Sequence, residues 1–210
     1  MQRDGKKRII QAAQRLIAQR GVEKTSMRDI AEEAGITTGA IYYYYKSKED
    51  LLYEVMDYAM AITSNIMEQR KGNPPPDQLL DEIARRMNRR IQGGANSRLR
   101  FYLAYQAALG DETLRQNFAK DYAAQAERTA TLFDYVFGLD PHPEDKDLAV
   151  LMIAALDGLN LQEFIGALPV ENAEMARIFN EFFAFAIPEF AKHRGEHHRF
   201  DSLEDNLKPE

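Results

Sequence analysis

The chain has 210 residues, of which 45% are hydrophobic and 29% are charged, so it is long enough to bury a substantial core. It contains no cysteine, which excludes disulfides, cysteine-ligated zinc, iron–sulfur clusters and thiol catalysis and is typical of a cytoplasmic protein. A net charge of -6 argues against a general nucleic-acid binder.

Charge is distributed unevenly along the chain. Residues 1–48 carry ten Lys or Arg against five Asp or Glu, a net charge of +5, which leaves -11 for residues 49–210. A cationic segment beside an acidic one indicates that only the first meets a polyanion such as DNA. The longest stretch without a charged residue, Gly35 to Tyr45, is too short to cross a membrane, and no apolar stretch follows the basic N-terminal residues as in a secretory signal.

Apolar residues recur at helical spacing in nearly every segment, and no convincing period-two alternation marks a strand. We therefore predict an all-α fold of about nine helices. Glycine and proline set the breaks, of which the clearest is Lys71 to Pro76. The predicted helices cover residues 6–20, 27–34, 37–44, 47–70, 77–92, 96–109, 112–137, 144–166 and 172–193.

We predict three parts in the chain. A three-helix head occupies residues 1–52, a larger helical body occupies residues 53–195, and residues 196–210 form a polar tail that is expected to be disordered.

The segment from Thr25 to Leu52 is the most informative. Two short helices joined by a tight turn need a small residue where their backbones approach, a glycine in the turn and an apolar residue that locks the second helix. Ala31, Gly35 and Ile41 meet these needs. The pattern predicts a helix-turn-helix whose second helix enters the major groove.

The second helix has a composition that suits a groove. Small residues let a backbone approach base edges, and hydroxyl groups reach phosphate oxygens. Lys48 lies in the first turn of the next helix, where its ammonium and nearby amides can hold a phosphate. The outward positions are Thr37, Thr38, Gly39, Tyr42, Tyr43 and Tyr44.

This segment resembles the DNA-binding signature of the tetracycline-repressor (TetR) family over about residues 6–52. The resemblance implies phosphate contacts from Thr25 or Ser26, Tyr42, Tyr44 and Lys48. It places Thr37, Thr38, Gly39 and Tyr43 at or near base edges. Two positions depart from the commonest pattern, because Tyr44 stands where His is frequent and Tyr45 where Phe is usual. Tyr45 should be buried, and its hydroxyl then needs a partner.

The alternative is that the four tyrosines form an aromatic packing cluster. Four consecutive residues cannot all face one side of a helix. Together with Ala31, Gly35, Ile41 and Lys48, this favours DNA contact.

Two body segments, residues 148–166 and 175–190, are apolar around much of their circumference. A helix of that kind must be covered on more than one side. We predict that both pair with their two-fold mates in a four-helix homodimer interface, as is common in the TetR family. A dimer would hold two heads about 34 Å apart on a palindromic operator. The alternative is that both helices serve a monomeric core.

The resemblance also implies an effector cavity among the central helices. Aromatic and methionine side chains would form its wall, while Gln106, Asp157 and Asn160 would orient a polar group, so we expect an apolar or aromatic ligand. Asp157 could equally bridge helices at a dimer interface. The candidate lining residues are Met56, Met60, Phe101, Tyr102, Tyr105, Gln106, Phe118, Tyr122, Met152, Asp157, Asn160 and Phe164.

Other functions remain as alternatives. A di-iron enzyme would need Glu-x-x-His pairs, which the sequence lacks, and neither a phosphate-binding Gly-Lys loop nor a nucleophile elbow occurs. We therefore predict no enzyme activity and no cofactor. His193 and His197 could share a metal only if the last helix continued through Gly195, and a solvated tail is favoured. A DNA-binding dimer without an effector, and an activator in place of a repressor, both stay open.

Overall fold

The structure, a computed structural model, describes residues 2–64, 75–91 and 95–194 and contains no strand within them. The all-α prediction is confirmed. The predicted end of the fourth helix near Arg70 and the predicted tail lie outside the described residues. The helices are α1 (Gln2–Arg20), α2 (Met27–Glu33), α3 (Thr38–Tyr44), α4 (Lys48–Ser64), α5 (Pro76–Ile91), α6 (Ala95–Ala108), α7 (Glu112–Phe137), α8 (Pro143–Phe164) and α9 (Asn172–Lys192).

Side-chain caps define the short helices of the head. Ser26 caps α2, with its hydroxyl accepting from the Asp29 amide at 3.2 Å and the Asp29 carboxylate accepting in return from the Ser26 amide. Thr37 caps α3 in the same way through the Ala40 amide. Because each cap satisfies amides that a helix leaves unpaired, two seven-residue helices can end and begin within four residues of each other.

The turn between α2 and α3 depends on Gly35, whose φ of +67° is a left-handed conformation that few other residues adopt. Arg8 of α1 donates to the Ala34 carbonyl at 2.6 Å and also reaches the Gly35 carbonyl. The last carbonyls of α2 are thereby paired, and α1 is tied to the turn.

The core of the head continues into the body without a break. Ile9, Ile30 and Ile41 lie in one buried cluster with Leu52 and Met56 of α4. The same cluster includes Leu99 and Leu103 of α6 and Leu114 and Phe118 of α7. A reciprocal cap between Ser47 and Asp50 starts α4, and α4 joins the head to the body directly.

Two further buried clusters hold the rest of the body together. One joins Ile91 of α5 to Leu156 of α8 and Phe179 of α9. The other joins Phe133 of α7 to α8 and α9. No helix in the described ranges is long and apolar enough to span a membrane.

Candidate nucleic-acid interface and body cavity

Helix α3 has one buried side and one open side. Ile41 is fully buried against the head, while Thr37, Thr38 and Gly39 are exposed at the helix start. Tyr43 is 75% exposed and Tyr42 is 52% exposed, which is unusual for large aromatic residues. The exposed side of α3 can therefore meet a ligand outside the chain.

The other two tyrosines of the run pack inside the head. Tyr44 is partly buried, and its ring lies edge-on to Tyr43 with centroids 5.4 Å apart. A Cβ at Gly5 of α1 would lie 2.7 Å from the Tyr44 hydroxyl, so this tyrosine needs glycine opposite. Tyr45 is buried, as predicted. The packing alternative thus applies to half of the run, and the exposed half keeps the groove-contact prediction.

The Tyr45 hydroxyl makes no hydrogen bond of normal geometry among the described residues, although the Glu54 carboxylate is the polar group nearby. Burial raises the pKa of Tyr45, and the negative charge of Glu54 raises it further. Lys6 pairs with Glu54 at 3.0 Å and lies over the Tyr45 ring. The ring is thus packed and covered by a cation, while its hydroxyl remains unsatisfied.

The structure distinguishes Thr25 from Ser26. Thr25 is fully buried, and its hydroxyl donates to the Gly21 carbonyl at 2.8 Å. Ser26 is exposed at the start of α2. Only Ser26 of this pair is available to a phosphate, and Thr25 stabilises the turn between α1 and α2.

Lys48 lies against the same turn. Its ammonium donates to the Val22 carbonyl at 2.7 Å, and partial burial lowers the pKa of Lys48. An ammonium has three N–H donors, so a phosphate contact is still compatible with this bond.

Several cations of the head are already engaged within the protein. Arg15 pairs with Glu33 at 2.7 Å and Arg20 with Asp29 at 3.0 Å. Between Gly21 and Ser47, the exposed cations that have no ion-pair partner among the described residues are Lys24, Arg28 and Lys46. These three were not among the predicted site residues, because a sequence gives the number of charges but not which of them pair.

In the body, a polar cluster joins three helices. Asp157 of α8 accepts from the Tyr122 hydroxyl at 2.5 Å and from Arg100 at 3.3 Å, and the Arg100 guanidinium lies 4.8 Å from the Tyr122 ring centre. Burial and the Asp157 hydrogen bond raise the pKa of Tyr122. Two turns further along α8, Phe164 stacks on Phe101 with centroids 5.7 Å apart.

The other predicted lining residues do not share one cavity. Met56 and Phe118 belong to the buried core, with Tyr102 packed against it, and Met152 packs between the two body clusters. Tyr105 is exposed, Gln106 is half-buried, and the side chain of Met60 lies outside the described part. Asn160 is buried, and its amide donates to the Leu156 carbonyl, while its side-chain oxygen has no partner in the described part of the chain.

A groove of about 350 Å³ runs between α7 and α8. Tyr122 and Asp157 are the predicted residues that reach it, and the other six were missed. Alanine side chains of α7 face an alanine of α8, and these small residues leave the space open. A local sequence pattern does not predict it, because the two helices are distant in the chain. The lining residues are Tyr122, Ala123, Ala126, Lys146, Val150, Ile153, Ala154 and Asp157.

Comparison with known families supports the assignment of the head. The profile of the bacterial regulatory proteins of the tetR family matches residues 9–55. The HTH-type transcriptional regulator AcrR of Shigella flexneri is 37% identical over 71 residues, which is 34% of this chain and 33% of that protein. The chain spans about a quarter to a third of the length of the first curated relatives that it matches.

Solved structures resemble most of the chain, including the body. A transcriptional regulator from Saccharomonospora viridis, determined in complex with choline, has a TM-score of 0.66 at 21% identity and covers 87% of this chain and 96% of its own. The multidrug binding protein EbrR in complex with proflavin has a TM-score of 0.53 at 24% identity, with 84% and 98% covered. At these identities the likeness establishes the fold of the body but not its ligand.

Proposed function

We propose that the chain, whose residues 9–55 match the profile of the bacterial regulatory proteins of the tetR family, is a dimeric repressor of that type. In this proposal it binds a palindromic operator and leaves it when a small molecule occupies the body. The observation that carries the proposal is the open side of α3, where two exposed tyrosines follow two exposed threonines and a glycine.

In the proposed complex α3 lies in the major groove. Thr37, Thr38, Gly39 and Tyr43 approach base edges, while Ser26, Tyr42 and Lys48 contact phosphates. Lys24, Arg28 and Lys46 add positive charge around this contact, since their exposure leaves them able to replace counterions on DNA. Such a protein acts in the cytoplasm, where the operator is.

The proposal is tested by selecting bound sequences from random duplexes with the full-length protein. We expect a palindromic site to emerge. Tyr43→Ala should change the preferred bases at one or two positions in each half-site, at a cost of about 1–3 kcal/mol, while Lys46→Gln weakens binding to all duplexes alike. Both side chains are exposed, so neither change should lower the melting temperature. Equal, sequence-independent losses from both variants would contradict the assignment of Tyr43 to base contact.

Dimerisation is supported by apolar surface on the last two helices. On α9, Ile178, Phe182 and Phe185 form one exposed stripe at helical spacing. On α8, Leu151 and Leu161 are also exposed. Monomeric proteins rarely leave so much contiguous apolar surface in water. A second copy of the chain, packed two-fold about α8 and α9, would cover it.

Effector binding is supported by the fold and by the cavity. Two proteins with this fold were solved with choline and with proflavin, a planar aromatic dye. Here the polar cluster of Arg100, Tyr122 and Asp157 borders an apolar groove, a combination that suits a small molecule with one polar end. An effector that favours a spacing of the two heads other than the one that fits the operator would shift the population away from the operator-bound form.

A further inference from the structure

The groove between α7 and α8 has a wall that is almost wholly apolar and two ends that differ in charge. Ala123 and Ala126 of α7 face Val150 and Ala154 of α8, and these small side chains leave the space open. Val150 and Ala154 remain exposed. The volume of about 350 Å³ lies within the range of small-molecule sites, which begins at about 300 Å³.

One end of the groove carries the ammonium of Lys146, which can leave its present partner for a ligand. Lys146 pairs with Glu127 at 2.6 Å, and both side chains are about half exposed. An exposed pair of this kind contributes little to stability, because water screens it and two long side chains lose freedom in forming it. An anion entering the groove can therefore take over the Lys146 ammonium at small cost.

The other end of the groove, at Asp157, does not favour a charged group of a ligand. The Asp157 carboxylate already accepts hydrogen bonds from Tyr122 and Arg100, and the Asp157 and Arg100 side chains are only 20% and 13% exposed. A ligand cation would have to displace this guanidinium from a partly buried pair, which costs much more than breaking an exposed one. An apolar end of a ligand, in contrast, can lie against the face of the Tyr122 ring.

From these two ends we propose that the groove binds an amphiphilic carboxylate, with its headgroup on Lys146 and its apolar chain directed toward Tyr122. Eleven residues separate Lys146 from Asp157 along α8, so the groove can follow a chain for about 16 Å. The proposal rests on the proposed function, because it names the chemical class of the effector.

The groove is also connected to the helix that carries the head. Tyr122 is adjacent in sequence to Asp121, which accepts a hydrogen bond from Tyr53 of α4. Tyr53 also packs edge-on against Phe118, one turn earlier on α7. A ligand that moves α7 at Tyr122 therefore acts on α4 through direct contacts.

The test uses decanoate, decanol and decyltrimethylammonium, measured by isothermal titration calorimetry on the full-length protein. These probes share an apolar chain and differ in the charge of the headgroup. We expect decanoate to bind about tenfold more tightly than either of the others. Lys146→Gln should weaken decanoate about fivefold and remove most of this preference, and Ala123→Phe should reduce binding of all three by filling the groove.

Lys192→Gln is the matched control, because Lys192 is an exposed lysine that pairs with Glu189 at 2.6 Å on another helix. It should leave all three affinities unchanged. Equal decanoate affinity in Lys146→Gln and the wild type would overturn the proposal, as would tightest binding of the cationic probe or no binding of any probe. An Ala123→Phe protein that loses its dimer but keeps decanoate would assign the groove to a second copy of the chain and would also overturn it.

Operator binding measured on the same samples separates this inference from the proposed function. If decanoate binds through Lys146 without weakening operator binding, the proposed carboxylate site is supported. The proposal that this class of effector releases the protein from the operator is then contradicted. If the protein binds no duplex selectively, the repressor proposal fails while the ligand result is unaffected.

Discussion

Four consecutive tyrosines, residues 42 to 45, occupy three different environments. Tyr42 and Tyr43 face outward, Tyr44 leans on Gly5, and Tyr45 is enclosed beside Glu54. Successive residues on a helix point about 100° apart, so a run of one residue type must sample both the interior and the surface. The same phenol group therefore provides a candidate DNA contact at one position and core packing at another.

Tyr45→Phe should stabilise the protein by about 1 kcal/mol, because it removes a buried hydroxyl that lacks a partner and keeps the ring. Tyr53→Phe is the matched comparison. It removes a hydroxyl that donates to Asp121, so it should destabilise by about 1–2 kcal/mol. Urea unfolding of the three proteins at pH 8 checks both signs, and a destabilised Tyr45→Phe protein would mean that the hydroxyl has a partner after all.

The stabilising effect of Tyr45→Phe should also grow at alkaline pH. The pKa of Tyr45 is raised in the folded protein, so above pH 10 the unfolded chain loses this proton while the folded protein keeps it. Wild-type stability then falls with rising pH. Between pH 8 and pH 10.5 the advantage of Tyr45→Phe should increase, because the unfolded wild-type chain begins to ionise at Tyr45 in this range. A pH-independent difference in urea unfolding would argue against the raised pKa.

The first turn of α8 is stabilised by an arginine that lies just after the end of α9. Asp145 is buried, caps the first turn of α8 through the His142 amide at 2.6 Å, and pairs with Arg194 just beyond α9. Asp134 of α7 faces the same guanidinium, and burial raises the pKa of Asp134. Three elements thus meet at a single arginine that has little contact with water.

Asp145→Ala should destabilise the protein by about 3–5 kcal/mol, because it leaves the partly buried Arg194 without its main counter-ion and removes the cap of α8. Glu174→Ala breaks an exposed pair with Arg177 and should leave the stability nearly unchanged, because water screens such a pair. Chemical denaturation of both variants tests the contrast. Similar small losses would show that the Asp145 pair is as weak as a surface pair.

Helix α9 presents its apolar stripe to solvent, and that stripe should carry the dimer. Phe182→Asp is expected to raise the dimer dissociation constant at least about tenfold, since aromatic residues near the centre of an interface dominate its energy. The side chain is 59% exposed, so folding should survive. Leu109→Asp, at an exposed apolar position after α6, is the control. Sedimentation equilibrium gives the result, and an unchanged dimer in Phe182→Asp would place the interface elsewhere.

At the scale of the whole molecule, positive charge is concentrated on the head and negative charge on the rest of the chain. Since acidic surface is repelled by DNA, this separation would orient the head toward the duplex in the proposed complex before any specific contact forms. The continuous core from Ile41 through Met56 to Leu103 then makes the position of the head depend on the packing of the body.

Salt dependence should report the number of phosphate contacts. If Lys24, Arg28, Lys46 and Lys48 each meet one phosphate, a dimer replaces about eight counterions, and log K should fall with log salt at a slope of about -7. Lys46→Gln removes two contacts per dimer and should reduce the slope to about -5. Fluorescence anisotropy between 50 and 200 mM salt measures this, with Lys192→Gln as the control. A slope that is unaltered in Lys46→Gln would remove that residue from the interface.

The sequence alone determined the helices and the helix-turn-helix, because these depend on neighbours within four residues, as Ser26 does on Asp29 and Thr37 on Ala40. It also determined the charge of the head. Only the tertiary structure decided which of Thr25 and Ser26 is exposed, which cations are paired, and where α7 and α8 leave a groove. Those outcomes depend on contacts between residues far apart in the chain, such as Arg100 with Asp157, and no local pattern encodes them.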